Sequence, residues 1–391
     1  MSLVLEMPEP LRRRTNRAWV VGLVAAAFAA AGALSDPESF YRAYLPAFVF
    51  WSGIAFGSLP VLMLYFLTGG AWGAVIRRNL EAALGTLPLV ALFFLPVLAG
   101  LGDLYEWAHP EAVRHDPLLL HKSPYLNVPF FTARTAVFFA MAIGASWLAR
   151  RWSAEEDRSR ERGSLERRYL YLGRAGLVLY VVVGSFVAVD WVQSLEPHWY
   201  STIFGLVFLG GQFLSAFCFA IVTLVLVVRF EPYGRLVGAD TIHDLGRLLL
   251  AFVMIWAYFA YSQFLVIWSG NLPEEISWYE KRLAEPWVWA AGALLVFHFA
   301  VPFLLLLSRR VKRDPRLLGA VAAGLLVFRF VDQLWSVKPA FGAGVGWLDA
   351  ACWVGLGGFW IHAYGRELAA RPLLPLHDPS FPWPEEVDEA R

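Results

Sequence analysis

Residues 202–228 read TIFGLVFLGGQFLSAFCFAIVTLVLVV, without one Asp, Glu, Lys, Arg or His. A helix needs roughly 20 such residues to cross the hydrocarbon core of a bilayer. The apolar residues follow one another without a two-residue alternation, so a strand of an outer-membrane barrel does not fit. Working outward, comparable runs fall at about 18–34, 44–68, 80–102, 129–149, 170–192, 246–269, 286–308, 317–336 and 347–365. The expectation is an all-α integral membrane protein, a single multi-pass domain over 1–391 with about ten transmembrane helices.

Composition points the same way. Apolar residues make up 58% of the chain and charged residues 17%, with a mean hydropathy of +0.52, well beyond a soluble domain. A net charge of +1 gives no basic face for nucleic acid. Cys218 and Cys352 both fall inside apolar runs, too few and too deep for a disulfide framework, an iron–sulfur cluster or covalent haem, and read as packing residues. The eight histidines contain no adjacent pair, which speaks against an oxidase-type binuclear metal site.

Charge distribution sets the expected orientation, because Lys and Arg of short loops stay on the cytoplasmic side. With both termini inside, most of the 33 cations fall on inner segments. The outer loops keep Arg42, Arg114, Lys122, Lys281, Arg282 and Lys338, while Arg134 and Arg329 lie within helices. Arg12 to Arg17, the apolar stretch after them and Ala31-Gly32-Ala33 also imitate a signal peptide; its removal would leave the other spans unchanged. The inner loop 150–169 is rich in Arg and Glu, the outer loop 103–128 is rich in Pro and His, and neither could bury a core of its own. The proline-containing tail 371–391 reads as extended or held by a partner. Helices two to five and six to nine share an Arg-bearing inner turn and a long outer loop. This suggests two four-helix bundles with the first and last helices peripheral.

Ionisable groups inside apolar spans are the first place to look for function, since each costs roughly 2.5–3.5 kcal/mol at mid-membrane. On helix nine, Arg329, Asp332, Gln333 and Ser336 fall on one face, either as a proton-conducting or quinone-facing wall or as an intrahelical pair satisfying itself. Asp190, Asp103, Arg134 and Asp349 lie in the outer portions of their spans and could line one outer vestibule, or be ordinary interfacial residues. His298 sits at the centre of helix eight, where an imidazole can relay protons or ligate haem; the second haem ligand would be His362, at a different depth. Glu81, His243, Asp244 and His362 could form an inner proton inlet. Tyr258, Tyr261 and Ser262 add a polar stripe that aromatic-belt packing explains equally well.

Three stretches then resemble a known family: DWVQSLEPHWYSTIFG at Asp190–Gly205, YSQFLVIWSGNLPEE at Tyr261–Glu275 and HKSPYLNVPFF at His121–Phe131. They look like the large membrane subunits of alternative complex III, within the NrfD-like polysulphide reductase membrane-subunit superfamily, and the chain's size is closest to the smaller of the two related ten-helix subunits. The resemblance implies two four-helix bundles within a quinol:electron-acceptor oxidoreductase of the bacterial cytoplasmic membrane. It implies as partners a sister ten-helix subunit, an iron–sulfur subunit and c-type cytochrome subunits, which would carry the iron–sulfur clusters and haem c. This chain would then hold no redox centre itself, with quinone or quinol as its candidate ligand. The expected mechanism is a transmembrane proton path or coupling element in which Asp190, Asp332 and Asp349 carry protons. Arg329 would supply the opposing charge, and His298 would bridge the apolar centre. Two rival readings are a structural anchor for peripheral redox subunits and a secondary transporter, although no paired broken helices mark a central transport site.

Overall fold

The apolar runs all become helix in the computed structural model, which describes residues 6–158, 165–381 and 383 and contains no strand among them. Ten long helices follow in order: α1 Glu9–Ser35, α2 Pro37–Thr68, α3 Ala71–Ala99, α4 Val128–Arg158, α5 Glu166–Trp191, α6 Phe204–Val227, α7 Ala239–Gly270, α8 Trp287–Leu307, α9 Pro315–Val337 and α10 Trp347–Ala369. Among the described residues nine helices, α1 to α9, are long and apolar enough to cross a membrane. The last, α10, has the length for it, but glycines, tryptophans, Asp349 and His362 dilute its apolar character. The chain is thus an all-helical, multi-pass membrane protein.

Local chemistry explains where the helices begin and break. Asp36 accepts the amide of Ser39 at 3.1 Å and starts α2, and Gly69 and Gly70, both at positive φ, make the two-residue reversal into α3 that a side chain would strain. Pro88 and Pro96 lack an amide hydrogen, and α3 accordingly runs as consecutive pieces interrupted at Thr86 and Phe94. In α8, Pro302 cannot donate to the carbonyl of His298, and the preceding Leu294–Ala300 adopts a π-helical turn. The inner loop expected at 150–169 is largely helix, because α4 continues to Arg158 and α5 starts at Glu166; residues 159–164 lie outside the described residues.

Packing places α2 and α6 at the centre. Helix α2 touches α3, α5, α6, α9 and α10, whereas α6 touches α2, α5, α7 and α9. Helix α1 packs mainly along α10, where Gly22 and Gly358 meet backbone to backbone. Large apolar side chains cover the outside, among them Phe28, Val137, Val178, Leu295 and Leu304, as a molecule solvated by lipid requires. The tail is non-helical after α10, yet Leu373, Leu374, Asp378 and Phe381 are buried against the chain's own interior. Residues 384–391 of the expected extended tail lie outside the described residues.

Candidate functional site: an aromatic cavity with a buried ion pair

Between α6, α7, α8, α9 and the connecting helix Pro273–Leu283 lies a cavity of about 660 Å³, within the usual range for a small organic ligand. Its walls are mainly aromatic and aliphatic: Phe204, Trp256, Phe264, Trp278, Leu294 and Trp335. Tyr258, Tyr261 and Leu295, each more than 60% exposed, form its open side. The polar groups are few: Asp332, Gln263, Tyr279 and Ser336 are the principal ones, and Asp332 is the one carboxylate among the described residues lining the cavity. Gln263 donates to the Tyr279 hydroxyl at 3.4 Å and accepts from Ser201 at 3.3 Å. Burial pushes the Tyr279 hydroxyl up to about 12, so it stays protonated and can donate.

The helix-nine stripe forms a divide. Asp332 and Ser336 border this cavity, while Arg329 and Gln333 border a chamber of about 10 Å³ among α2, α6 and α9, lined also by Gln212 and Ser215. Arg329 reaches across to Asp332 and, through Nε, to Ser215 Oγ at 3.3 Å. Gln212 accepts a 2.6 Å hydrogen bond from the buried Tyr180 hydroxyl of α5. A Cβ at Gly211 would sit 2.1 Å from the Arg329 guanidinium, which would have to move. Two short polar segments therefore border this chamber, Asp332–Arg329–Ser215 and Gln212–Tyr180; Ser215 donates onward to the Gly211 carbonyl at 2.8 Å, and among the described residues no hydrogen bond joins the two segments. His298 lies within the π-helical turn, wholly buried, with both ring nitrogens unpartnered and its ring edge-on to Trp256 at 4.3 Å.

The remaining sequence candidates separate. The expected single outer vestibule resolves into three ion pairs, and among the described residues no hydrogen bond joins them. Asp190 is held in a two-point pair with Arg134 at 2.8 Å, and that guanidinium also lies over the Tyr125 ring at 3.8 Å. Asp349 takes the Gly346 amide at 2.8 Å and the buried Lys338 ammonium at 3.0 Å, capping α10. Arg329 and Asp332 are the third pair, and Asp103 is exposed on a four-residue helix. Glu81 belongs instead to a buried cluster that the sequence reading missed. Arg77 binds Glu81 at 2.9 Å, Glu156 at 2.8 Å and the tail's Asp378 at 2.7 Å, and Arg78 binds Glu81 and Ser153. His362 approaches the Thr15 carbonyl of α1 at 3.3 Å, so it faces a different helix from the one His298 packs on, and the arrangement gives a shared haem no support. His243 is buried on α7 and Asp244 pairs with Arg247, and among the described residues no hydrogen bond joins the residues expected as an inner inlet. Among the described residues no three His, Cys, Asp or Glu side chains group to hold a metal ion, and Cys218 and Cys352 are free and buried.

The three family-like stretches converge beside the cavity. Trp199 donates to the Glu275 carbonyl at 2.9 Å and stacks on Trp278 at 5.0 Å, Glu196 pairs with Arg282 at 2.8 Å, and Lys122 donates to the Pro197 carbonyl at 2.5 Å. Arg282 in turn donates to the Ser336 carbonyl at 2.7 Å on the cavity wall. Compared with known families the chain matches no family model, and no curated protein matches it either.

Proposed function

We propose that this chain is a membrane subunit of a quinol:electron-acceptor oxidoreductase of the alternative complex III type, in the NrfD-like superfamily, and that the aromatic cavity is its quinol-facing surface. The observation that carries the reading is the cavity itself: open along exposed aromatic and aliphatic side chains, aromatic in its walls, and bordered by one carboxylate on a buried guanidinium. A quinol has an apolar tail that favours such an opening, a flat ring that stacks on indole and phenol, and hydroxyls that need few but well-placed partners. Gln263, Tyr279 and Ser336 supply those partners, and Asp332 can accept a proton as the ring is oxidised. The electrons leave to redox centres of partner subunits, expected to be iron–sulfur and haem c carriers. From Asp332 the segment through Arg329 and Ser215, with Gln212 and Tyr180 across the same small chamber, supplies polar groups for part of a proton path or coupling element.

Further support comes from packing. Helices α2 to α5 contact one another, as do α6 to α9, consistent with two four-helix bundles joined along α2, α6 and α9. Asp190 and Asp349 are paired away from the lining of the aromatic cavity, whereas Asp332, though also paired, borders it, so we assign the proton role to Asp332 and the groups around it, with His298 behind Trp256. Photolabelling with an azidoquinone in native membranes tests the reading. Label is expected on the α7 segment Trp256–Phe264 and the α9 segment Asp332–Ser336. Labelling elsewhere only, with the complex falling apart when the chain is removed, would favour the structural-anchor reading instead.

A further inference from the structure

At the end of the molecule opposite the aromatic cavity a second cavity, of about 600 Å³, lies where α6, α8 and α9 end or begin. Arginines line it from three elements: Arg229 just after α6, Arg310 and Arg313 on the short helix Arg309–Arg313, and Arg316 in the first turn of α9. Arg313 pairs with Asp240 at 2.9 Å. Asp314, the one acid in the lining, spends its carboxylate on the amides of Arg316 and Leu317 at 2.8 and 3.3 Å as the α9 cap. Arg229, Arg310 and Arg316 are left without an ion-pair partner among the described residues, although all three are exposed around the same hollow. Three guanidinium-bearing residues around one hollow make its potential positive, and guanidinium recognises phosphate oxygens in pairs. Beside the arginines the floor is apolar, with Val225, Val228 and Pro315, and Leu305, Leu307 and Leu317 lie exposed on the adjoining turns.

We infer that this hollow is a binding site for the phosphodiester headgroup of an anionic phospholipid. The phosphate would sit among Arg229, Arg310 and Arg316, and an acyl chain would lie along the leucines. A free phosphate ion shares the charge chemistry but has no use for the exposed leucines beside it, which is why the lipid is the assigned occupant. The cavity lies on the side whose charge pattern marks it as cytoplasmic, where basic pockets between helices meet acidic lipid.

Native mass spectrometry of the delipidated protein in detergent tests this with cardiolipin, phosphatidylglycerol, phosphatidylcholine and inorganic phosphate as separate probes. The two acidic lipids are expected to form adducts and phosphatidylcholine is not. The triple variant Arg229→Gln, Arg310→Gln, Arg316→Gln should weaken acidic-lipid binding by more than about tenfold. The triple variant Arg12→Gln, Arg14→Gln, Arg17→Gln, which removes equal charge from α1, should leave it unchanged. Single Arg310→Gln, expected to weaken binding several-fold, stands in if the triple variant does not fold. Equal loss in both triple variants would reduce the effect to general surface attraction and overturn the site. Displacement of the acidic lipids by millimolar inorganic phosphate would overturn the lipid assignment in favour of a free-anion site.

Discussion

Arg329 and Asp332 are three positions apart on one helix, yet they face different spaces, and the guanidinium touches both the cavity acid and Ser215. Its position depends on Gly211, so Gly211→Ala is expected to push Arg329 aside, costing roughly 1–3 kcal/mol in stability and loosening quinol-analogue binding in the same variant. Thermal unfolding with and without the analogue checks both parts. The charged members of this site were legible in the sequence because an Arg or Asp inside an apolar run is conspicuous. Tyr180, Gln212 and Gln263 were not, since an uncharged polar residue costs little in such a run and its partner lies on another helix. His298 was legible as a central imidazole, but its lack of partners and its place in a π-helical turn follow from packing on Trp256 and from Pro302.

At the scale of elements the strongest link is the cluster tying α3, α4, α5 and the tail. Arg77 and Asp378 meet at 2.7 Å although they are 301 positions apart, a contact no periodicity could foretell, and an acid in a proline-containing tail reads as solvated until its partner is seen. Asp378→Ala leaves Arg77 its Glu81 and Glu156 partners but removes the carboxylate that ties in the tail, so it is expected to cost about 1.5–3 kcal/mol, read as a lowered unfolding midpoint. An unchanged midpoint would mean that the tail is not held there. The helices were legible because the apolar runs mark them, but they extend beyond the runs at α1, α4 and α7, where charged turns continue the helix into water or headgroups. In the loop 103–128, desolvation pushes the Asp116 carboxyl up, but hydrogen bonds from the amides of Leu119 and Leu118 and from His198 outweigh it and hold it below the ordinary carboxylate value. A depressed carboxylate stabilises above its unfolded value and loses that contribution as pH falls through its folded one. The helix Pro117–Lys122 should therefore keep its amide protection at neutral pH and lose it below about pH 4, as hydrogen exchange would show.

For the molecule as a whole, α2 and α6 form the packed centre, with buried ion clusters elsewhere, at Arg77–Glu81 and at Arg134–Asp190. The multi-pass helical architecture could be read from hydropathy alone. The division of labour could not, because burial looks the same in sequence whether an acid is capped, as Asp349 is, or borders an open cavity, as Asp332 does. The central claim is that Asp332 takes part in proton transfer from quinol, and Asp332→Asn keeps its shape while removing that capacity. In the assembled complex, quinol turnover and proton release are measured together for this variant. The account predicts that both fall at least tenfold while the complex stays intact; wild-type turnover with wild-type proton release would contradict it.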